Sequence, residues 1–511
     1  MKKLLALMMI LVLALSLAAC GKKEEEDVTP EPEPVAEKKI LRIAESFAYA
    51  SLDAHKDYNG WYTSIYGMTE TLFKIGNDLS VQPLLATKAE ASEDGLTWTI
   101  TLNPKAKFSN GNAVTSDMVI RNLQRVGEVN DSYHDVSDYV FTKIDDTTFT
   151  INTGSVYPTL LTDKLASSAF GIMDLDAGNL DNAPVCTGPF KAKSFEPEGT
   201  VEVEKNENYW NGTVKLDGVV FEYMSDDESK LMAMQSGEID GYSSVTAAAK
   251  QIYESDPSRY KVTVIPATRL QFYVLNKNTL SDNVRKAINL TVDCQDIANY
   301  LGGTTSPAVG PFGASAPYGK VTKPAVDTAA AEAALQADGY TKNSDGMYEK
   351  NGKPLTIKVC YYSARSLDTI ATILERQFKA VGIGVELVGV EDADSTYRVT
   401  GDYDLALYCM IADKSGDPYY CVNALYRKGG DWGLAGFPND ECEALIDELK
   451  SETDINRRAE LANKIVQMTI DDNAFGYIGL FNKTTVSAPS VVNIGENSPF
   501  DFYAVNADTD K

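Results

Sequence analysis

From residue 97 to residue 470 the chain keeps switching between two hydrophobic periods, and that restricts its fold more than anything else in it. Thr97-Trp98-Thr99-Ile100-Thr101-Leu102 alternates with period two, as a strand does. Phe108-Ser109-Asn110-Gly111-Asn112 is turn chemistry. Thr115 or Ser116 can cap a helix carrying Val119, Leu123 and Val126 on one face. Residues 327–338 read as a helix stopped by Gly339, and 355–359 as a strand. Leu367, Ile370, Leu374 and Val381 form a helical stripe that Gly382 ends. Residues 383–390 and 403–411 read as strands, and 441–449 and 455–470 as amphipathic helices. Such a rhythm buries its apolar faces as α/β layers with parallel or mixed sheets. There is no repeat of fixed period.

The first forty residues are of another kind. Lys2 and Lys3 precede a charge-free apolar run, Leu4 to Leu17, which is short for a membrane span of ~20 residues. Leu17-Ala18-Ala19-Cys20 then resembles a bacterial lipobox, with cleavage before Cys20 and lipid carried on it. Several acyl chains would anchor the chain stably, at ~0.8 kcal/mol per buried methylene. Residues 1–19 are therefore expected to be a lipoprotein signal peptide. Residues 20–39, rich in Glu, Lys and Pro with no aromatic residue, are expected to be a disordered acidic linker.

The net charge is −26, or −28 after loss of the two leader lysines. That excludes nucleic acid as a partner, since phosphate binding needs basic surface. Beyond Cys20 stand Cys186, Cys294, Cys360, Cys409, Cys421 and Cys442, with no CxxC spacing. Disulfides are permitted outside the cytoplasm. Cys409 with Cys421 is one pairing, and buried free thiols are the alternative. Catalytic signatures are sparse. The two histidines, His55 and His134, lie far apart and outside any HExxH, and neither GxSxG nor a Walker A loop occurs. Gly382-Ile383-Gly384 lacks the third glycine of a dinucleotide loop, and Ser258 to Lys261 is an isolated SxxK spacing. A pair of glycosidase carboxylates among 73 Asp and Glu stays open. No metal site and no cofactor is expected, and binding explains so large an α/β body better than turnover.

An ordered set of segments carries a family resemblance: LDAH (52–55), ETLF (70–73), PLLA (83–86), WTITLNPKAKFSNGNAVTSDMV (98–119), PVCTGPF (184–190), NENYW (206–210), GEID (237–240), DNVRKAINLTVD (282–293) and GDYDLAL (401–407). Together they resemble the family 5 extracellular solute-binding proteins, the dipeptide, oligopeptide and nickel-chelate receptors of ABC importers. The resemblance spans roughly residues 40–505. It implies an α/β, two-lobe, periplasmic-binding-protein-like clamp of type II, in the large peptide-binding subclass, with a subdomain inserted in lobe I. Lobe I would comprise 40–57, 181–272 and 484–511, the insertion 58–180, and lobe II 273–483. The chain would cross near Leu270 to Asn276 and return near Phe481 to Thr485. The implied protein is a monomer tethered to the cell membrane by lipid on Cys20. It captures a small ligand, most readily a peptide, and hands it unchanged to a permease; a metal chelate, an opine or a short sugar is the alternative, and an extracellular hydrolase the rival from another class.

The resemblance also nominates ligand residues. Asp417, in Gly416-Asp417-Pro418, matches the peptide receptors' aspartate that holds a ligand ammonium, and an Asp-Pro turn is the structural alternative. Arg365 could take a carboxylate bidentately, although the family's arginine lies a few residues later, where this chain has Asp368 and Thr369. Trp61 and Tyr62, expected in a loop, and Tyr419 and Trp432 opposite them would supply aromatic walls. Tyr419 stands where some nickel-chelate receptors carry histidine, and Cys186 replaces a glycine usual before TGPF.

Overall fold

Two strands, Lys261–Leu275 and Phe475–Ser487, are much longer than the others and pair antiparallel along most of their length. They form the centre of a mixed sheet in a computed structural model that describes residues 38–511 except 415, 438, 439, 496, 497 and 501. The leader, Cys20 and residues up to 37 lie outside the described residues. Among those described, the main sheet has eleven strands.

The two long strands serve both ends of it. Lys261 to Ile265 pairs with Ser487 to Lys483, beside Gly241–Ser243, Ile40–Glu45, Gly218–Tyr223, Val201–Lys205 and Phe190–Phe195 in turn. Arg269 to Val274 pairs with Phe481 to Phe475, beside Leu405–Ile411, Thr356–Tyr362 and Gly384–Val390. Between the two stretches the register breaks: Pro266, Ala267 and Thr268 oppose Asn482 alone. Proline cannot donate to the ladder, and extra residues on one strand bend it. The sheet is thus one hydrogen-bonded network with two halves joined at an irregular waist.

Alternation along the second half separates two cores. Leu270, Phe272 and Val274 face one with Trp432, Phe475 and Ile465. Tyr273 and Leu275 face the other with Ile288, Leu374 and Leu407. Burial on both faces explains why Leu405–Ile411 is nearly continuously apolar. The first half packs Leu41, Ile43, Val219 and Phe221 on one side and Ala44, Tyr242 and Tyr253 on the other.

An inserted unit lies between the strands Ile40–Glu45 and Phe190–Phe195. Its antiparallel sheet (Ala86–Ala91, Thr97–Leu102, Thr148–Asn152, Val140–Lys143) is covered by the helix Ser116–Val129. Val119, Leu123 and Val126 are buried on one helix face against Ile100, Phe149 and Ile151. Each such side chain contributes ~1.5–3 kcal/mol of burial. Arg125, on the same helix, reaches back to the LDAH segment. It donates to Asp53 Oδ1 at 2.8 Å and Oδ2 at 2.5 Å and lies 2.9 Å from His55 Nδ1. His55 Nε2 lies 2.9 Å from the Gly171 carbonyl, which assigns the proton to Nε2 and leaves Nδ1 to accept from Arg125. Burial holds the His55 pKa down at about 4.

Local expectations meet the structure closely. The helix Thr328–Ala337 starts where Asp327 accepts from the Ala330 amide at 2.9 Å, and Gly339 follows it at φ +86°. The helix Leu367–Ala380 is followed by Gly382 at φ +90°. Thr115 stands at the N-cap of Ser116–Val129, but among the described residues its side chain makes no cap hydrogen bond. One segment differs in its structure. Trp61 and Tyr62, expected in a loop, sit on the helix Asn59–Ile65. Gly60 meets the Ser168 and Ala54 carbonyl oxygens there, within 2.3 and 2.8 Å of where a Cβ would stand, so tertiary packing selects the helix. The six cysteines beyond Cys20 are buried and, among the described residues, not joined in disulfides, so Cys409 and Cys421 are not paired with each other.

Candidate functional site

Side chains from the first half and the inserted unit meet those of the second half along one seam. Trp61, half-buried on the helix Asn59–Ile65, packs edge-on to Phe502 with centroids 4.8 Å apart. The guanidinium of Arg269, from the long strand beside the waist, lies 5.8 Å from the Trp61 ring centre. Tyr62 is buried against Tyr49, with ring centres 3.6 Å apart and hydroxyls 2.5 Å apart. Burial raises the pKa of both phenols, and the charge of Arg365 pulls in the opposite direction.

Arg365 approaches from the second half. It ends the strand-to-helix connection at φ +54°, and Ser366 follows at φ +61°. Such backbone is unusual for non-glycine residues, and a buried partner holds it here. Gln271 Nε2 donates to the Arg365 carbonyl at 2.7 Å, and the Gln271 amide oxygen accepts from Thr305 at 2.8 Å. The guanidinium then lies 5.9 Å from the exposed Phe47 ring, across the seam.

Asp417 is tied within its own half. Arg458 Nε and Nη2 donate to its two oxygens at 2.8 and 2.7 Å, and the Tyr419 amide donates at 2.8 Å. Arg458 is 5% exposed and also donates to the Leu449 and Glu452 carbonyls. This bidentate pair pins the Asp-Pro turn to the helix Ile455–Asp471. Tyr419 is buried on the helix Tyr419–Tyr426, its hydroxyl donating to Asn423 at 3.2 Å. Trp432 is 2% exposed, ringed edge-on by Phe272, Tyr403 and Tyr408. Among the six nominated residues, Trp61, Tyr62 and Arg365 therefore lie together at the seam, while Tyr419 and Trp432 pack in the second half's core.

Further residues stand at the seam that sequence reasoning did not single out. Lys414, just beyond Leu405–Ile411, holds its ammonium 3.4 Å from the Tyr420 ring centre. From the inserted unit come Tyr133, packed on Phe170, and Asp163, which accepts from Thr159 at 2.6 Å and Tyr157 at 3.0 Å. Burial raises the Asp163 pKa, and the charge of Asp417 adds to the rise. Ile411 packs into the inserted unit's core, and Gly416, at φ +71°, lies so close to Leu79 that a Cβ would come within 2.9 Å of its carbonyl oxygen. A cation next to the GDP segment was the available signal for Lys414. Arg269 had no comparable mark.

Residues 80–433 match the family model for bacterial extracellular solute-binding proteins, family 5 Middle. The chain belongs to that family. A nickel-binding protein of Staphylococcus aureus, NikA, is 27% identical over 448 residues, covering 86% of this chain and 88% of that one. The dipeptide-binding protein DppE of Bacillus subtilis is 24% identical over 497 residues, 89% of each chain. The structure of S. aureus NikA with Ni(L-His)2 superposes with a TM-score of 0.81 at 24% identity, over 92% of this chain and 99% of that one. Haemophilus influenzae OppA bound to the peptide RPPGFSPFR superposes with a TM-score of 0.73 at 20% identity, over 92% and 98%. The fold is the periplasmic-binding-protein clamp of this family, a mixed α/β architecture with an inserted subdomain.

Proposed function

We propose that this solute-binding protein captures a small ligand in the seam between its two halves and passes it unchanged to an ABC import permease. The observation carrying this reading is the waist: among the described residues two strands alone cross it, their register breaks there, and aromatic and cationic side chains from both sides converge beside it. A hinge at Pro266 to Thr268 and Asn482 would let the halves part and close. Lobe I is then 40–57, 181 to about the waist and the segment after 483, with 58–180 inserted and the intervening chain as lobe II. A closed seam excludes water and strengthens each polar contact to the guest.

A peptide is the leading ligand. Trp61 and Tyr62 would wall it and a cation at the seam, Arg365 or a neighbour, would take its carboxylate, with Asp417, held by Arg458, shaping the second half's side of the site. A metal chelate is the second reading. It brings its own donor atoms, so arginine and aromatic walls suffice to hold it, and nickel-binding relatives support it. The protein acts by capture and release without chemistry, as a monomer outside the cytoplasm, tethered through lipid on Cys20. Native mass spectrometry of the purified protein identifies what it carries. Small-angle scattering with and without that compound should give a smaller radius of gyration when bound. Superimposable curves would refute the clamp.

A further inference from the structure

Among the described residues, no carboxylate pairs with the Lys414 ammonium. Lys414 lies three residues beyond Ile411, at the edge where the second half meets the inserted unit, and it is part-buried. Its ammonium rests on the Tyr420 ring at 3.4 Å, and among the described residues no carboxylate lies within ion-pair distance of it. The charged and titratable groups that face it are Tyr133 and Asp163 from the inserted unit and Asp431, Arg269 and Tyr420 from the second half. Both nearby carboxylates are already engaged. Asp431 accepts from Arg398 at 2.8 Å, and Asp163 from Thr159 and Tyr157. An ammonium removed from water without a paired charge is costly, and a ring face offsets only part of that cost. Burial accordingly lowers the Lys414 pKa. The chain as a whole carries a net charge of −26, which repels anions at long range, so an anionic ligand needs a cation at the site itself.

We propose that Lys414 reads the anionic group of the bound solute, taking its carboxylate on the aromatic floor formed by Tyr420. The inference rests on the capture reading above and narrows it to ligands that carry a carboxylate. Arg269, on the neighbouring strand, pairs opposite Ile411 in the sheet, and its charge acts on Lys414.

Two measurements test it. The first needs no ligand. Replacing Lys414 by Met keeps the stem and removes the charge, so the ligand-free Lys414→Met protein should melt higher than wild type. A lower melting temperature would mean that the ammonium is satisfied internally and would overturn the proposal. The second uses trialanine and its C-terminal amide as probes in isothermal titration calorimetry. Wild type and Lys414→Arg should favour the free carboxylate tenfold or more, and Lys414→Met should bind both forms alike. Discrimination that survives in Lys414→Met would assign the anion to another residue. Binding of neither probe to wild type would count against the peptide reading and not this one, which the melting comparison then decides.

Discussion

Replacing Asp417 by Ala separates a structural role from a ligand role. The carboxylate accepts two hydrogen bonds from Arg458 and one from the Tyr419 amide, and both side chains are largely shielded, at 6% and 17% exposure. Removing one partner of such a pair strands the other, at a cost of about 3–5 kcal/mol. For roughly 470 folded residues, an unfolding entropy of about 2.1 cal/mol/K per residue gives about 1 kcal/mol/K, so the melting temperature should drop by about 3–5 °C. The double variant Asp417→Ala/Arg458→Met removes both charges and should recover most of the loss, because an apolar pair in place of a buried ion pair is often neutral. Differential scanning fluorimetry reads the melting temperatures, and calorimetry with the co-purified compound reads affinity. A single variant that melts within about 1 °C of wild type would refute the reasoning on the pair. If the double variant melts normally and binds normally, Asp417 only holds its turn; if it melts normally and binds weakly, the aspartate also touches the guest.

Acidification should destabilise the protein through His55. Neutral in the fold down to about pH 4, this imidazole takes a proton in the unfolded chain near pH 6.5, so stability falls as pH drops through that window, by about 3 kcal/mol, and His55→Gln should flatten the slope in urea titrations. Glu70 acts in the opposite sense. Burial raises its pKa to about 7 despite bonds from Tyr209 and Trp210, so its contribution is lost as pH rises from 4.5 towards 7, and Glu70→Gln should make the acid slope steeper. Trp432→Ala should cost about 3–5 kcal/mol by chemical denaturation, because the cavity lies among Phe272, Tyr403 and Tyr408. In a form lacking residues 1–20, Ellman's reagent should titrate none of the six thiols until denaturant is added, since all are buried and outside disulfides.

Much of this protein is written locally. Side-chain period marks Thr97–Leu102 as a strand and Ser116–Val129 as a helix, because strand and helix geometries place every second or every third to fourth residue on one face. Asp327 and Gly339 bound their helix because an N-cap and a left-handed C-terminal residue are local backbone requirements. The lipobox-like stretch and the family's ordered segments are likewise readable along the chain. The seam is not, because its chemistry depends on pairs of residues far apart. Asp417 could hold a ligand ammonium or a side chain, and only the fold brings Arg458, 41 residues on, to both of its oxygens. Trp61 and Trp432 are equally aromatic in sequence, yet one borders the seam and the other fills a core. Lys414 differs from a surface lysine in its surroundings, because the fold sets its ammonium on the Tyr420 ring and, among the described residues, gives it no carboxylate at ion-pair distance.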